Sequence, residues 1–251
     1  MIRNLTAFLI LLSVKICSRL CYRFRHRWLK PAHSADWKEL RMILVLHHTS
    51  LYEVIYFGLI PVSVLWSLAK RGVAPVASVT LSRPFIGKAF RMMSKNTMSL
   101  SRKRDHTWDA LLERIEPDSL VLLVPEGRMM RRNGLDKHGR PMTVRGGIAD
   151  VLQRLGSGKI MMIYSGGMHH IQVPGEHQLP KLGKKVYCRC EMLDVDSYRE
   201  EFADAEDFKA AVIQDLERRR DRHCPPTGFP PEEQNPTQEP SSSEPGTKRR
   251  S

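Results

Sequence analysis

Leu120-Val121-Leu122-Leu123-Val124, closed by Pro125-Glu126-Gly127, decides the fold. An unbroken apolar run this short, ended by a proline and a glycine, reads as a strand covered on both faces. Strands of that kind belong to largely parallel sheets with helices packed on each side. Similar short runs lie at 41–46, 74–79, 97–100, 159–164 and 185–193, each predicting a strand.

Between these runs the pattern turns helical. Residues 51–68 form a long apolar stretch that Pro61 should break or kink and Gly72 should stop. Residues 84–94, 107–115, 144–155 and 203–223 read as further helices. Strands alternating with helices give an α/β class, with a mostly parallel central sheet flanked by helices. The domain is expected over residues 36–223, after an N-terminal segment of 1–35. From about residue 224 the chain is rich in Pro, Glu, Ser and Thr and is expected to be a disordered tail.

Forty Lys and Arg against 27 Asp and Glu leave a formal charge of +13 over 251 residues. A negatively charged partner follows: nucleic acid, an anionic membrane surface or a phosphorylated substrate. Composition does not choose among them. The five cysteines, at 17, 21, 188, 190 and 224, match no metal-binding spacing, and their odd number argues against a disulfide framework. They read as reduced thiols in a protein facing the cytosol.

The N-terminal stretch points to the membrane. Residues 5–14 (LTAFLILLSV) are too short to span a bilayer as a helix, which takes about 20 residues. The following KICSRLCYRFRHRWLK mixes Ile16, Leu20, Phe24 and Leu29 with Lys15, Arg19, Arg23, Arg25 and Arg27. It predicts an amphipathic, membrane-associated helix in the headgroup plane, its cations on anionic lipid. A signal peptide fits less well, since no small-residue cleavage site follows. An ordinary surface helix remains the plain alternative.

The chemistry concentrates in His47-His48-Thr49-Ser50-Leu51-Tyr52-Glu53, between a strand and an apolar helix. His48 and Glu53 are five apart, which is not a neighbour spacing on a regular helix. They meet only if His48 lies in the loop and Glu53 in the first helical turn, with Ser50 as N-cap. Glu53 would then orient one ring nitrogen of His48 and leave the other free to take a proton. The same Ser50-x-x-Glu53 is also a capping box, in which Glu53 is structural. Both readings stand at this point. Downstream, Val124-Pro125-Glu126-Gly127-Arg128 ends the strongest strand, with Arg131 and Arg132 after it, and Ser101-Arg102-Lys103-Arg104 follows another strand. Arginine forks suit phosphate oxygens, although basic loops are also common solvated features.

In combination these segments resemble the lysophospholipid (1-acylglycerol-3-phosphate) acyltransferase family. That family carries Asn-His-x-Ser-x-x-Asp, matched by residues 47–53, and a Pro-Glu-Gly-Thr-Arg turn after a hydrophobic residue, matched by Val124 to Met129. Its intermediate motif resembles Met98-Ser99-Leu100-Ser101-Arg102. The order agrees over roughly residues 40–170.

The resemblance implies an enzyme that moves a fatty acyl group from acyl-CoA or acyl-carrier protein to a lysolipid hydroxyl. His48 would be general base with Glu53 its partner, and Arg102, Glu126, Gly127 and Arg128 would bind the acceptor. No metal or other cofactor would be needed. Partners would be an anionic membrane surface, the lysolipid and the acyl donor, with no nucleic acid, at the cytoplasmic face of a membrane. Backbone amides at the helix start would hold the oxyanion. The departures are Glu53 for Asp, His47 for Asn, Arg128 and Met129 for Thr and Arg, and no proline after the strand at 159–164. Two other readings remain: a non-catalytic basic protein on membranes or nucleic acid, and an acyl thioester hydrolase.

Overall fold

β2 (Leu40–Leu46) runs through the middle of the sheet and is apolar everywhere but at Arg41. Its side chains serve two cores. Ile43 and Val45 face one apolar cluster, while Met42, Leu44 and Leu46 face another. Leu40 belongs with the first cluster because a register shift between Leu40 and Met42 reverses the alternation there. Burial on both faces is why the strand reads as a continuous apolar run.

The computed structural model describes residues 2–82, 87, 88, 92, 96–100, 106–176 and 179–225. Among them, seven strands form one sheet in the order β1-β7-β6-β2-β5-β3-β4. They are β1 (Arg23–Trp28), β2, β3 (Gly72–Ala77), β4 (Asn96–Leu100), β5 (Leu120–Leu123), β6 (Lys159–Ser165) and β7 (Lys185–Asp194). Every pairing is parallel except β6 with β7. The α/β class with a mostly parallel sheet flanked by helices is therefore the observed architecture.

Three helical elements cover the first face: α1 (Ile2–Cys21), a 3-10 helix (Leu51–Gly58) and α2 (Val62–Arg71). Pro61 separates the last two, as the sequence predicts, and Gly72 ends α2. The second face carries α3 (His106–Glu113), α4 (Gly147–Arg154), α5 (Val195–Glu200) and α6 (Phe208–His223). Two of these start later than their patterns imply. The lead-in to α4 is not helical, with the Val144 N–H donating to Glu217 and the Arg145 N–H to the Pro125 carbonyl. α6 begins only where Asp207 caps it through the Ala210 N–H, after α5 has formed separately.

The N-terminal region differs most from expectation. α1 is a single helix of 20 residues, long and apolar enough to cross a membrane by length and composition. Ala7, Leu11 and Ser18 are buried on one side. On the opposite side Ile2, Leu5, Leu9, Ile16 and Leu20 stay exposed, at intervals of three, four, seven and four. Those intervals form one stripe at 3.6 residues per turn.

The helix does not continue through the basic stretch. Arg23–Trp28 is instead an edge strand parallel to β7. Phe24 closes against Gly58, where a Cβ would come within 2.5 Å of the ring. Lys15, expected among the headgroups, points inward and donates to the carbonyls of Gly58 and Ile60 at 3.1 and 2.7 Å. It neutralises the open end of the 3-10 helix. The helix expected at 84–94 lies largely outside the described residues, as do Arg102 and the tail beyond Pro225.

Candidate active site

β2, β5 and β6 are parallel neighbours, so their carboxyl ends share one edge of the sheet. This edge is where open α/β sheets place their ligands. The His47-His48-Thr49-Ser50 turn leaves β2 there, the Pro125-Glu126-Gly127 turn leaves β5, and Gly166-Gly167-Met168 leaves β6.

The His48 turn is held from three sides. From β5, Glu126 accepts the His47 N–H at 2.8 Å and the His48 N–H at 3.3 Å. From β6, the Ser165 carbonyl meets His47 Nδ1 at 3.0 Å and the Met168 N–H donates to Thr49 Oγ1 at 2.8 Å. From the following loop, Gln172 accepts the Ser50 hydroxyl at 2.8 Å. His47 has φ of +69°. Non-glycine residues rarely hold that left-handed value unless the surroundings enforce it.

Glu53 makes both contacts that the sequence left as alternatives, the hydrogen bond with His48 and the capping box. Its Oε1 accepts the N–H groups of Thr49 and Ser50 at 2.8 and 3.4 Å, completing the capping box. Its Oε2 takes the hydrogen bond of His48 Nδ1. With Nδ1 committed to the carboxylate, His48 Nε2 is the nitrogen left for a substrate proton. The His48 side chain is 16% exposed and borders an open cleft, whereas Glu53 is buried behind it.

The electrostatics favour a charged His48 more than solvent does. Burial opposes the imidazolium, but the charge and hydrogen bond of Glu53, together with the charge of Glu126, outweigh it. The His48 pKa is raised above its usual 6.5. Burial pushes the His47 pKa the other way. Burial also raises the Glu126 carboxyl, partly offset by the His47 N–H and by His48.

The cleft has a volume of about 1080 Å³ and two kinds of wall. Ile43, Val45, Val54, Phe57, Leu122 and Ile163 supply an apolar side beneath the 3-10 helix. Arg128, Arg131, Lys137, Arg140 and Arg145 supply a basic side.

Among the residues read from sequence, His48, Glu53, Gly127 and Arg128 all line this cleft. Glu126 does not act at its surface. It is 1% exposed and turned inward onto the backbone of the His48 turn. Gly127 takes φ of +62° and closes the turn by donating its N–H to the Val124 carbonyl. The Arg128 guanidinium is paired with buried Asp136, which also accepts the N–H groups of His138 and Arg140 at 2.7 and 3.0 Å. Burial alone would raise the Asp136 carboxyl, but these partners hold it well below the usual carboxylate range.

The oxyanion donors expected at the helix start are already used. The amides of His47, His48, Thr49 and Ser50 are all bound to Glu126 or Glu53. Sequence reasoning also missed Gln172, Ser165 and Tyr56, whose hydroxyl donates to Ser165 Oγ at 2.7 Å. Only the pairing of β6 beside β2 brings Ser165 and Gln172 to the site, whereas Tyr56 comes from the 3-10 helix itself. Among the described residues, no cluster of His, Cys, Asp and Glu is arranged to hold a metal ion.

No family model matches the chain, and no curated protein does. Among solved structures it is similar to the crystal structure of the 1-acyl-sn-glycerophosphate (LPA) acyltransferase PlsC from Thermotoga maritima. The TM-score is 0.56 at 14% identity, covering 88% of this chain and 80% of that chain. At that identity the likeness is one of fold.

Proposed function

We propose that the chain is an acyltransferase that moves a fatty acyl group from a thioester donor, acyl-CoA or acyl-carrier protein, to the hydroxyl of a lysophospholipid or related glycerol-phosphate lipid. The observation that carries this reading is the His48–Glu53 pair at the border of a cleft with one apolar and one basic side. Likeness of fold to an LPA acyltransferase supports the same reaction class.

In the proposed reaction His48 Nε2 removes the proton of the acceptor hydroxyl. The oxygen attacks the thioester carbonyl, forming the new C–O bond. Glu53 stabilises the imidazolium. Collapse breaks the C–S bond, and the leaving thiolate takes the proton back from His48. Because the amides of His47, His48, Thr49 and Ser50 are occupied, the oxyanion would be met by other donors that line the cleft. The apolar side takes the acyl chain and the basic side takes acceptor phosphate.

The exposed stripe of α1 would lie on the bilayer, with the helix in the membrane plane. Crossing the bilayer would require α1 to leave the 3-10 helix and α2, against which Ala7 and Leu11 are buried. The cytoplasmic side of a membrane suits the free thiols.

A screen of purified protein against lysolipids, with acyl-CoA and acyl-carrier protein as donors and mass spectrometry of the products, tests the reading. A diacyl lipid that appears only when acceptor is present supports it. Free fatty acid released at the same rate with and without acceptor would mean a thioester hydrolase instead.

A further inference from the structure

We propose that the loop joining β6 to β7 is a second membrane anchor, which docks on an anionic lipid surface together with the C-terminal end of α1. The inference rests on the proposal that α1 lies on a bilayer, and it adds a contact that the N-terminal helix does not provide.

Two large apolar side chains stand out from this loop, Leu179 at 81% exposure and Leu182 at 63%. Leu20, in the last turn of α1, is 80% exposed. The Gly183 N–H donates to the Cys21 carbonyl at 2.8 Å, so Leu182 and Leu20 flank a single hydrogen bond between loop and helix. Gly183 makes the approach in the left-handed region, with φ of +72°. A second bond, from the Arg23 N–H to the Lys184 carbonyl at 3.0 Å, fastens the same junction. The exposed end of α1 is thus joined to the loop by backbone hydrogen bonds.

The surroundings are cationic. Arg19, Arg23, Lys181, Lys184 and Lys185, each within three residues of one of these leucines in sequence, are all exposed. Leucines ringed by Lys and Arg match the boundary between acyl chains and acidic headgroups. Nucleic acid would satisfy the cations and leave the leucines in water.

The loop also reaches the site. Its first part supplies the Met168 N–H to Thr49 and the Gln172 side chain to Ser50. The Lys181 N–H then ties the leucine-bearing part back to the Ile171 carbonyl at 2.9 Å. One segment therefore links the proposed lipid contact to the turn that carries His48.

Flotation of the full chain with phosphatidylcholine vesicles, with and without phosphatidylserine, tests the proposal. Wild type is compared with Leu179→Ser/Leu182→Ser and with Leu5→Ser/Leu9→Ser. The loop variant should keep the wild-type melting temperature and lose about tenfold in partition to the anionic vesicles. It should turn over water-soluble short-chain substrates as wild type does. A separate Leu182→Trp variant should blue-shift its emission on phosphatidylserine-containing vesicles.

Wild-type partition of the loop variant, or an emission spectrum of Leu182→Trp that vesicles leave unshifted, overturns the anchor while leaving acyl transfer standing. Binding of the loop to an acidic soluble protein in place of vesicles overturns it as well. Loss of vesicle binding in a protein that transfers no acyl group would uphold the anchor and remove the proposed activity.

Discussion

Glu126 holds His48 by its backbone: the carboxylate at the end of β5 accepts the His48 N–H at 3.3 Å and, through its other oxygen, the His47 N–H at 2.8 Å. The Pro-Glu-Gly turn and the His48 turn are thereby one unit, although 78 residues separate the two side chains in sequence. Glu126 is a positioning residue, and the consequences of removing it follow from that.

Glu126→Ala leaves two part-buried N–H groups without an acceptor. Each such loss costs about 1–3 kcal/mol. Denaturant unfolding should show a destabilisation of that order, and acyl transfer should fall at least about tenfold as the His48 turn loosens. Glu126→Gln keeps one acceptor and should lie between. Wild-type stability in both variants would remove the positioning role.

The pH profile reports on His48. Its pKa is raised above 6.5, and a general base works only when neutral. The acid limb of kcat/KM should therefore lie above pH 6.5, with activity lost as pH falls through it. Glu53→Gln removes the larger of the two charges that raise the pKa, leaving burial, which lowers it, opposed by Glu126. The limb should move to lower pH and the plateau should drop. A raised folded pKa also means that this pair stabilises the fold fully below about pH 6.5 and loses that contribution as pH rises. An unchanged limb in Glu53→Gln would contradict the pairing.

His47 tests the backbone geometry apart from the chemistry. At φ of +69° a β-branched side chain is strained, so His47→Val should cost about 1–3 kcal/mol. His47→Asn tolerates the left-handed region and should melt close to wild type. Equal melting temperatures for the two variants would mean that the turn relaxes freely.

Arg128 and Arg145 should separate stability from substrate binding. Arg128→Ala strands buried Asp136 and should lower the melting temperature by several degrees. Arg145 is exposed on the basic wall beside Gly127. Arg145→Ala should leave stability alone and raise KM for a phosphate-bearing acceptor about tenfold. Thermal melts and Michaelis curves on both variants decide the matter; a stable Arg128→Ala with raised KM would exchange the roles.

Much of the fold is legible because buried parallel strands announce themselves as short apolar runs, as at Leu120 and Leu40. The His48–Glu53 approach is legible because Ser50 supplies a cap that puts a loop before Glu53. What stays hidden depends on strand order. Nothing local says that β6 lies beside β2, so Ser165 and Gln172 cannot be joined to the His48 turn. Nor does the sequence show that Glu126 points inward or that Asp136 claims Arg128. The Arg-rich stretch after α1 defeats a local reading because alternating arginines and aromatics fit an edge strand as well as an interfacial helix. Pairing with β7 decides for the strand.

The most direct measurement is acyl transfer by purified His48→Ala, with folding verified by a wild-type-like melt. The proposed mechanism predicts a fall of at least about a hundredfold in kcat with acceptor KM little changed. Turnover within a few-fold of wild type would show that His48 is not the base and would contradict the account.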